Sequence, residues 1–592
     1  MKKNIIYVLI DSLNYKHVKE SPIELMPFFN SLKKRAFYCE NMYSEAPYTE
    51  AALMSSICGQ DVLDYGGYMF RFKQTPLTLF EAMHNNGYYV YTTSYEPQCH
   101  PSSVKRGIDE YQYMFGFDPA ALWSYRFSHF ASLYKRNELT EEDYETVSEI
   151  LKDNLDAWIE WLEDLINGCK TTEMIGDNSK NFDAASALKA VEREQKHFLN
   201  DRIEYIHTLL QKGKAHSLFK IGGFPQNNKA KNRANMAYNS KSLKLLRKRI
   251  RKMDYELNKK NCKGYKKGPR NRFKELLKSP SLLNLKNYVK ALQGSINVLY
   301  DLDLNKRVTK NYDAFKDGPS FRTHIDTFIK WAKGYDNKKP FFALLHVNDV
   351  HNPEEFFTYD SDDRELIASE IKDANELLDE IPGDYYGSLT HDLSLRYIDG
   401  VIKYLYDQLK ENNLSDDTIV AICADHGFSF SGNPVRDSYV VNLYLENYNI
   451  PFLVTGTEYC GVKIDEMCQS KDIPPTICDL SKGEIPSVFS GRSVLARRSY
   501  DNLIIEYCGG GCPDILRREI KLASYDSKWF VGTLGKIKDD TCITEVYDLE
   551  NDPLQYNNLA KTKNWKSEEC VKALLSRIEL RKKHIVESWK AL

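Results

Sequence analysis

Three uninterrupted apolar runs constrain this chain more than any other feature: Ile5-Ile-Tyr-Val-Leu-Ile10, Pro340-Phe-Phe-Ala-Leu-Leu-His346 and Thr418-Ile-Val-Ala-Ile-Cys423. Runs of this length, without polar residues at alternate positions, are strands buried on both faces; a membrane-spanning helix needs about 18 or more apolar residues in a row. Helical stretches lie between them. We read helices around Pro27 to Arg35, across Ala51 to Ile57, around Leu77 to Asn86 and from Leu393 to Glu411, and a proline-started helix in Asp472 to Leu480. Further strands are read at Tyr88 to Thr93 and Ile450 to Val454. This alternation predicts an α/β fold with a largely parallel central sheet and helices on both faces.

The alternation is interrupted once. From about Phe127 to Thr327 the chain turns to long polar helices with apolar residues three and four apart, such as Leu151, Leu155, Trp158 and Leu162. After Tyr500 a smaller α+β unit follows. We therefore divide the chain into 1–126 and 328–499, two parts of one α/β domain, 127–327, a mostly helical and basic insertion, and 500–592, a C-terminal α+β subdomain.

The insertion carries a strong charge asymmetry. Between Gln211 and Lys290 stand 24 Lys or Arg against Asp254, Glu256 and Glu275, in a chain whose net charge is −2, so the remainder is acidic. Such a stretch is a solvated helical face or mobile arm, or it attracts an anionic membrane surface or a polyanionic substrate. Few aromatic residues are interleaved with the charges and no recognition-helix pattern is present, which speaks against sequence-specific nucleic-acid binding. The 13 cysteines, an odd number scattered through apolar segments such as Ile422-Cys423-Ala424, read as reduced core thiols rather than a disulfide framework. The first apolar run is too short for a signal sequence and lacks a small-residue cleavage site before Asp11. The expected location is therefore cytoplasmic, with peripheral membrane contact through the basic stretch as the variant.

The chemistry sits where the elements end. Asp11 closes the first apolar run, Asp425 and His426 follow the third, and Thr49 stands at the start of the helix that Gly59 terminates. Ligands of parallel α/β sheets bind beyond the carboxyl ends of the strands, and a helix start turns backbone N–H groups towards an anion. Singly, each residue has an ordinary reading, Thr49 as an N-cap and Asp11 as a turn residue. Together, two carboxylates, an imidazole and a hydroxyl form a mixed O/N donor set suited to Mn²⁺, Mg²⁺, Ca²⁺ or Zn²⁺. A metal on the Thr49 oxygen would lower its pKa and make it a nucleophile at neutral pH.

In this arrangement the chain resembles the alkaline phosphatase and sulfatase superfamily. Asn4-Ile-Ile-Tyr-Val-Leu-Ile-Asp11 is similar to its opening strand and metal aspartate, and Ala46-Pro-Tyr-Thr49 with Gly59 to its nucleophile helix. Leu345-His-Val-Asn-Asp-Val-His-Asn-Pro353 resembles its histidine loop and Thr418-Ile-Val-Ala-Ile-Cys-Ala-Asp-His-Gly427 its second metal segment. Asp472-Ile-Pro-Pro-Thr-Ile-Cys-Asp-Leu480 and Val546-Tyr-Asp-Leu-Glu-Asn-Asp-Pro553 resemble later landmarks, in the same order. The resemblance implies an alkaline phosphatase-like fold, metal on Asp11, Thr49, Asp425 and His426, and Thr49 as the attacking residue that becomes phospho-threonine. It further implies that His351 and His346 contact the transferred group or protonate the leaving oxygen, and that Arg436 sits over the anion. Manganese is the ion expected first.

The departures redirect the substrate. Family members that hydrolyse sulfate esters begin their nucleophile motif with a Cys or Ser converted to formylglycine, followed by Pro and Arg. Here Thr49 is followed by Glu50, Ala51 and Ala52, and threonine cannot undergo that conversion. The branch resembled is that of lipoteichoic acid synthase and phosphoethanolamine transferase catalytic domains and phosphonate monoester hydrolases. Asp11 is followed by Ser12 rather than a second aspartate, and Tyr439-Val-Val-Asn-Leu-Tyr444 lacks the histidine many relatives carry, so one metal is expected. The expectation is a metal-dependent phosphotransferase or phosphohydrolase acting on a phosphate mono- or diester, with an anionic glycan or lipid-linked polymer as substrate. Its rivals are a sulfatase, a catalytically inactive binding protein with a basic arm, and a nucleic-acid phosphodiesterase.

Overall fold

The computed structural model describes residues 2–68, 72, 74–94, 106–113, 130, 134, 137, 139–167, 183–212, 241–261, isolated positions between 273 and 289, 321–336, 338–351, 364–383, 385, 388–427, 444–508, 515–516, 519–562 and 564–590. The three apolar runs are its central strands. β1 (Asn4–Ile10) is the fourth strand of a nine-stranded sheet that also holds β2 (Ala36–Tyr43), β3 (Tyr89–Ser94), β4 (Glu110–Tyr113), β5 (Phe341–Val347), β6 (Thr418–Ala424), β7 (Asn449–Thr455), β8 (Val462–Ile464) and β9 (Cys468–Gln469), in the order β4-β3-β5-β1-β6-β7-β2-β8 with β9 beside β2. Every residue of β5 and β6 is buried, as continuous apolar strands covered on both faces require.

The strands from β4 to β6 run parallel, and β7 is antiparallel to both β6 and β2. β7 contains Pro451, which has no N–H to give a ladder. The fold tolerates it because the β2 register slips between Cys39 and Met42 at that point, and pairing with β6 ends at Phe452. The mostly parallel α/β architecture thus agrees with expectation. β2, β4 and the helix Arg364–Glu380 were not foreseen.

The described helices of the insertion do two different things. Glu141–Ile166, Ala184–Asn200 and Arg202–Lys212 build a small core of their own, with Leu151, Leu155, Leu162, Val191, Phe198 and Ile206 inside. Helix Lys241–Asn261 instead sinks Leu243, Leu246 and Ile250 into the main core, packed against Arg364–Glu380 and Leu389–Glu411. Its Arg249 reaches Asn375 Oδ1 at 2.8 Å and pairs with Asp379. This part of the basic stretch is therefore docked rather than a mobile arm.

Beyond residue 500, β10 (Leu503–Tyr507), β11 (Glu519–Tyr525), β12 (Trp529–Lys536) and β13 (Ile543–Asp548) form an antiparallel meander. Strand alternation sends Ile520, Leu522, Val531 and Val546 into the core shared with helix Glu569–Lys590, and Tyr507, Tyr525, Phe530 and Tyr547 into a second, tyrosine-rich cluster beside Tyr48 and Tyr448. Among the described residues every cysteine is a free thiol, and no helix is long and apolar enough to cross a membrane.

Candidate active site

The site follows from strand register. β1 and β6 are parallel neighbours with Ile10 opposite Ala424, so the next residues, Asp11 and Asp425, leave the sheet side by side at its carboxyl edge. Ser12 then turns with φ 64°, donating its N–H to Asp425 Oδ1 at 3.1 Å and its hydroxyl to Asp11 Oδ1 at 2.5 Å. A left-handed backbone costs a non-glycine residue about 1–2 kcal/mol, and these two bonds offset it while fastening the carboxylates to each other.

Thr49 opens the helix Thr49–Cys58, whose residues from Ala51 onward are all buried, as their small and apolar character requires. Gly59 closes it in the left-handed conformation at φ 60°. Tyr48 precedes Thr49, and no side chain caps the helix start. The Thr49 hydroxyl donates to Asp11 Oδ2 at 3.2 Å and lies 3.3 Å from His426 Nε2.

His426 is held from two sides. Its backbone N–H donates to Asp425 Oδ1 at 2.7 Å, and its Nδ1 lies 2.7 Å from Gly427 O. A carbonyl only accepts, so Nδ1 carries a hydrogen, and Nε2 faces inward, 3.4 Å from Asp11 Oδ1 and 3.7 Å from Asp425 Oδ2. Burial first, and the charge of Asp11 second, push the Asp425 pKa up to about 6.

This geometry tests the group for a metal. A ligand atom from each of Asp11, Asp425 and His426 lies within 4.8 Å of the others, all three residues being buried. Among the described residues Asp425 Oδ2, itself buried, has no hydrogen-bond partner, and His426 Nε2 is turned towards both carboxylates. The donor set, with an unpartnered buried carboxylate oxygen within it, fits a divalent ion.

The remaining candidates are not among the four clustered residues. His346 lies inside β5, opposite Leu9, and is wholly buried; burial holds its pKa down at about 4 against the pull of Asp11. Behind it, His324 is driven to about 3 by burial and by His346, and its Nδ1 meets Thr93 Oγ1 at 3.0 Å. His351 is exposed in the turn after β5, its N–H donating to Asn348 O at 3.0 Å. Arg436 lies outside the described residues. Two residues that sequence reading did not place are Ser12, seen only as a missing aspartate, and Lys471, a buried cation whose partners Glu45 and Asp61 are remote in sequence.

The sulfatase family model matches residues 3–166 and 255–483, which include Asp11, Thr49, Asp425 and His426 and leave 167–254 unmatched. An endo-4-O-sulfatase of Bacteroides thetaiotaomicron is 26% identical over 292 residues, 43% of this chain and 53% of that protein. Lipoteichoic acid synthase 2 of Bacillus subtilis is 22% identical over 254 residues, 42% of this chain and 35% of that one. The matches thus span about half, or less, of these relatives. A solved structure from Bacteroides thetaiotaomicron, concerned with its metabolism of multiple glycosaminoglycans, shares the fold with a TM-score of 0.50 at 14% identity, covering 99% of this chain and 97% of its own. With both halves of its α/β domain and all four clustered residues inside the matched blocks, the chain belongs to the sulfatase family.

Proposed function

We propose that the chain is a metal-dependent phosphotransferase or phosphohydrolase that attacks a phosphate mono- or diester through Thr49. The observation that carries this reading is the Thr49 hydroxyl at an uncapped helix start, 3.2 Å from Asp11 Oδ2 and 3.3 Å from His426 Nε2. Asp11, Asp425, His426 and Thr49 would hold one divalent ion, Mn²⁺ first and Mg²⁺, Ca²⁺ or Zn²⁺ otherwise. Bound there, it would acidify the hydroxyl and neutralise charge on the transferred group.

The chain's own residues supply the rest. Backbone N–H groups of the helix start orient a phosphate oxygen. Thr49 Oγ1 forms the new bond to phosphorus as the ester P–O bond breaks, and its proton passes to Asp11 Oδ2, the acceptor of its hydrogen bond. His351 gives a proton to the departing alcohol, and Arg436 balances charge on the anion. His346, held neutral by burial, supports the strand rather than moving protons. Water resolves the phospho-threonine in a hydrolase, an acceptor hydroxyl in a transferase. A glycan- or lipid-linked ester is the substrate we favour, by analogy with the lipoteichoic acid synthase relative.

A sulfuric ester hydrolase is the second reading, favoured by the endo-4-O-sulfatase match and opposed by the chemistry of threonine. The deciding experiment incubates the purified protein with panels of phosphate and sulfate esters. A phosphoryl group located on Thr49 by mass spectrometry, absent in Thr49→Ala, supports phosphoryl transfer. Brisk aryl sulfate turnover with Thr49 unmodified sinks it, and bound metal with neither activity points to a binding protein.

A further inference from the structure

Helix Lys241–Asn261 lies largely within the stretch the family model leaves unmatched, and it has two opposite faces. At 3.6 residues per turn, Leu243, Leu246, Ile250, Met253 and Leu257 share one side, which is packed on the main core. Lys241, Lys244, Lys248 and Lys252 fall within an arc of about 80° on the other side and rise over about 17 Å. All four are exposed, and among the described residues no ion pair or hydrogen bond engages their side chains. Glu256 alone among the described acids of this helix stands near the end of the row. Like charges three and four residues apart repel, so the row works against the helix, and among the described residues of the helix only Glu256, four residues after Lys252, offers a countercharge.

The helix is also fixed in place. Arg249 grips Asn375 and Asp379 at the end of the 364–380 helix. From there the chain leads through Tyr385, whose hydroxyl donates to Asp392 at 2.8 Å. Asp392 lies 2.6 Å from His17, six residues past Asp11. This series of contacts runs from the lysine-bearing helix to the helix Tyr15–Glu20 that follows Asp11.

We propose that this row is an exosite for a linear polyanion, the polymer that carries the ester presented to Thr49. A rigid line of cations about 6 Å apart matches a chain with anionic groups repeated along it and offers nothing to a neutral glycan. The proposal rests on the phosphoester reading for the polymer's identity as substrate, while polyanion binding itself is measured separately.

The test compares the full-length protein with a variant carrying Lys241→Gln, Lys244→Gln, Lys248→Gln and Lys252→Gln together. The probes are dextran sulfate, neutral dextran and phosphatidylglycerol vesicles, with a small phosphate ester for turnover. The parent is expected to bind dextran sulfate with a steep salt dependence and to ignore dextran. The variant is expected to bind at least tenfold more weakly at low salt, with the slope of log affinity against log salt reduced by about three, because each lost phosphate-like contact releases fewer counterions. Turnover of the small ester stays at the parent's level. Equal affinity and slope in parent and variant overturn the proposal, as does a loss confined to the vesicles. If the parent turns over no ester while the variant still loses dextran sulfate binding, the Thr49 reading fails and polyanion binding stands.

Discussion

Lys471 clamps the candidate nucleophile helix from both ends, and its replacement should loosen that helix selectively. Its side chain is 3% exposed, with Nζ 2.9 Å from Glu45 Oε1 and paired with Asp61. Glu45 precedes the helix Thr49–Cys58 and Asp61 follows it. Burial works against the ammonium, yet Asp61 and Glu45 hold its pKa well above the lysine range. Asp61 is also opposed by burial, but Lys471 and Arg581 draw its pKa below the usual carboxylate range. Glu45 goes the other way, burial outweighing the lysine and raising its pKa. Lys471 and Asp61 thus favour each other's charged forms, while burial disfavours the charged form of Glu45. Lys471→Met strands a buried Asp61 carboxylate, a loss of about 3–5 kcal/mol, whereas Lys471→Met with Asp61→Asn removes both charges of the pair and restores most of it. Amide hydrogen exchange across residues 49–58 is the direct assay. The single variant should exchange on the order of 10²- to 10⁴-fold faster there, and the double variant close to the parent rate. An increase below tenfold in the single variant, or a double variant as loose as the single, would refute the clamp.

Two further outcomes test the scaffold. Asp399 accepts the N–H groups of Phe28 and Phe29 at 2.9 and 2.7 Å, and burial pushes its pKa up to about 6. An acid whose folded pKa exceeds its unfolded one favours folding fully below the unfolded value, near 4, and loses that contribution as pH rises through 6. Asp399→Asn should therefore flatten the stability profile across that window by on the order of 2 kcal/mol, and parallel denaturation profiles for the two proteins would count against the shift. Gly59→Ala sets a side chain at φ +60° with its Cβ 2.8 Å from Phe489 Cδ1. It should cost about 1–2 kcal/mol in thermal unfolding, and a loss under about 0.5 kcal/mol would mean that Phe489 swings aside.

The readable parts of the chain were those in which one property decides the structure. β1, β5 and β6 are apolar through their buried centres, with His346 and Thr418 the polar exceptions near strand ends, so strand type and the meeting of Asp11 with Asp425 follow from where the apolar runs end. β2 was hidden because Glu40 and Asn41 fall at its register slip and break the apolar pattern. In Lys241–Asn261 the density of charge masked a stripe, Leu243, Leu246 and Ile250, that is part of the main core. Lys471 was invisible for a different reason: a buried cation needs its anions, and both are more than 400 residues away in sequence. Roles in the site fared alike. Thr49, Asp11, Asp425 and His426 meet because each ends or begins an element, while His346 lies within a strand whose every residue is buried, where the sequence pattern alone could not weigh packing against a role in proton transfer.

Ser12 gives the sharpest test of how many ions the site is built for. Asp11 and Asp425 carry two negative charges, enough to balance one divalent cation, and the next position along the chain is where a further acid would stand. Ser12 occupies it and uses its N–H and hydroxyl to tie the two carboxylates together. Ser12→Asp keeps the left-handed backbone accessible, since aspartate tolerates it better than most residues. It removes the 2.5 Å bond to Asp11 Oδ1 and adds a third negative charge within the same cluster. In metal-free buffer the variant should therefore unfold at lower temperature than the parent, and added Mn²⁺ should raise its melting point by more than it raises the parent's, because charge count sets affinity at oxygen-rich sites. Elemental analysis should then find one ion per parent chain and more than one per variant chain. A variant that is as stable as the parent without metal, or that gains no more from Mn²⁺ than the parent does, would place the cation away from Asp11 and Asp425 and remove the basis for assigning Thr49 as the nucleophile.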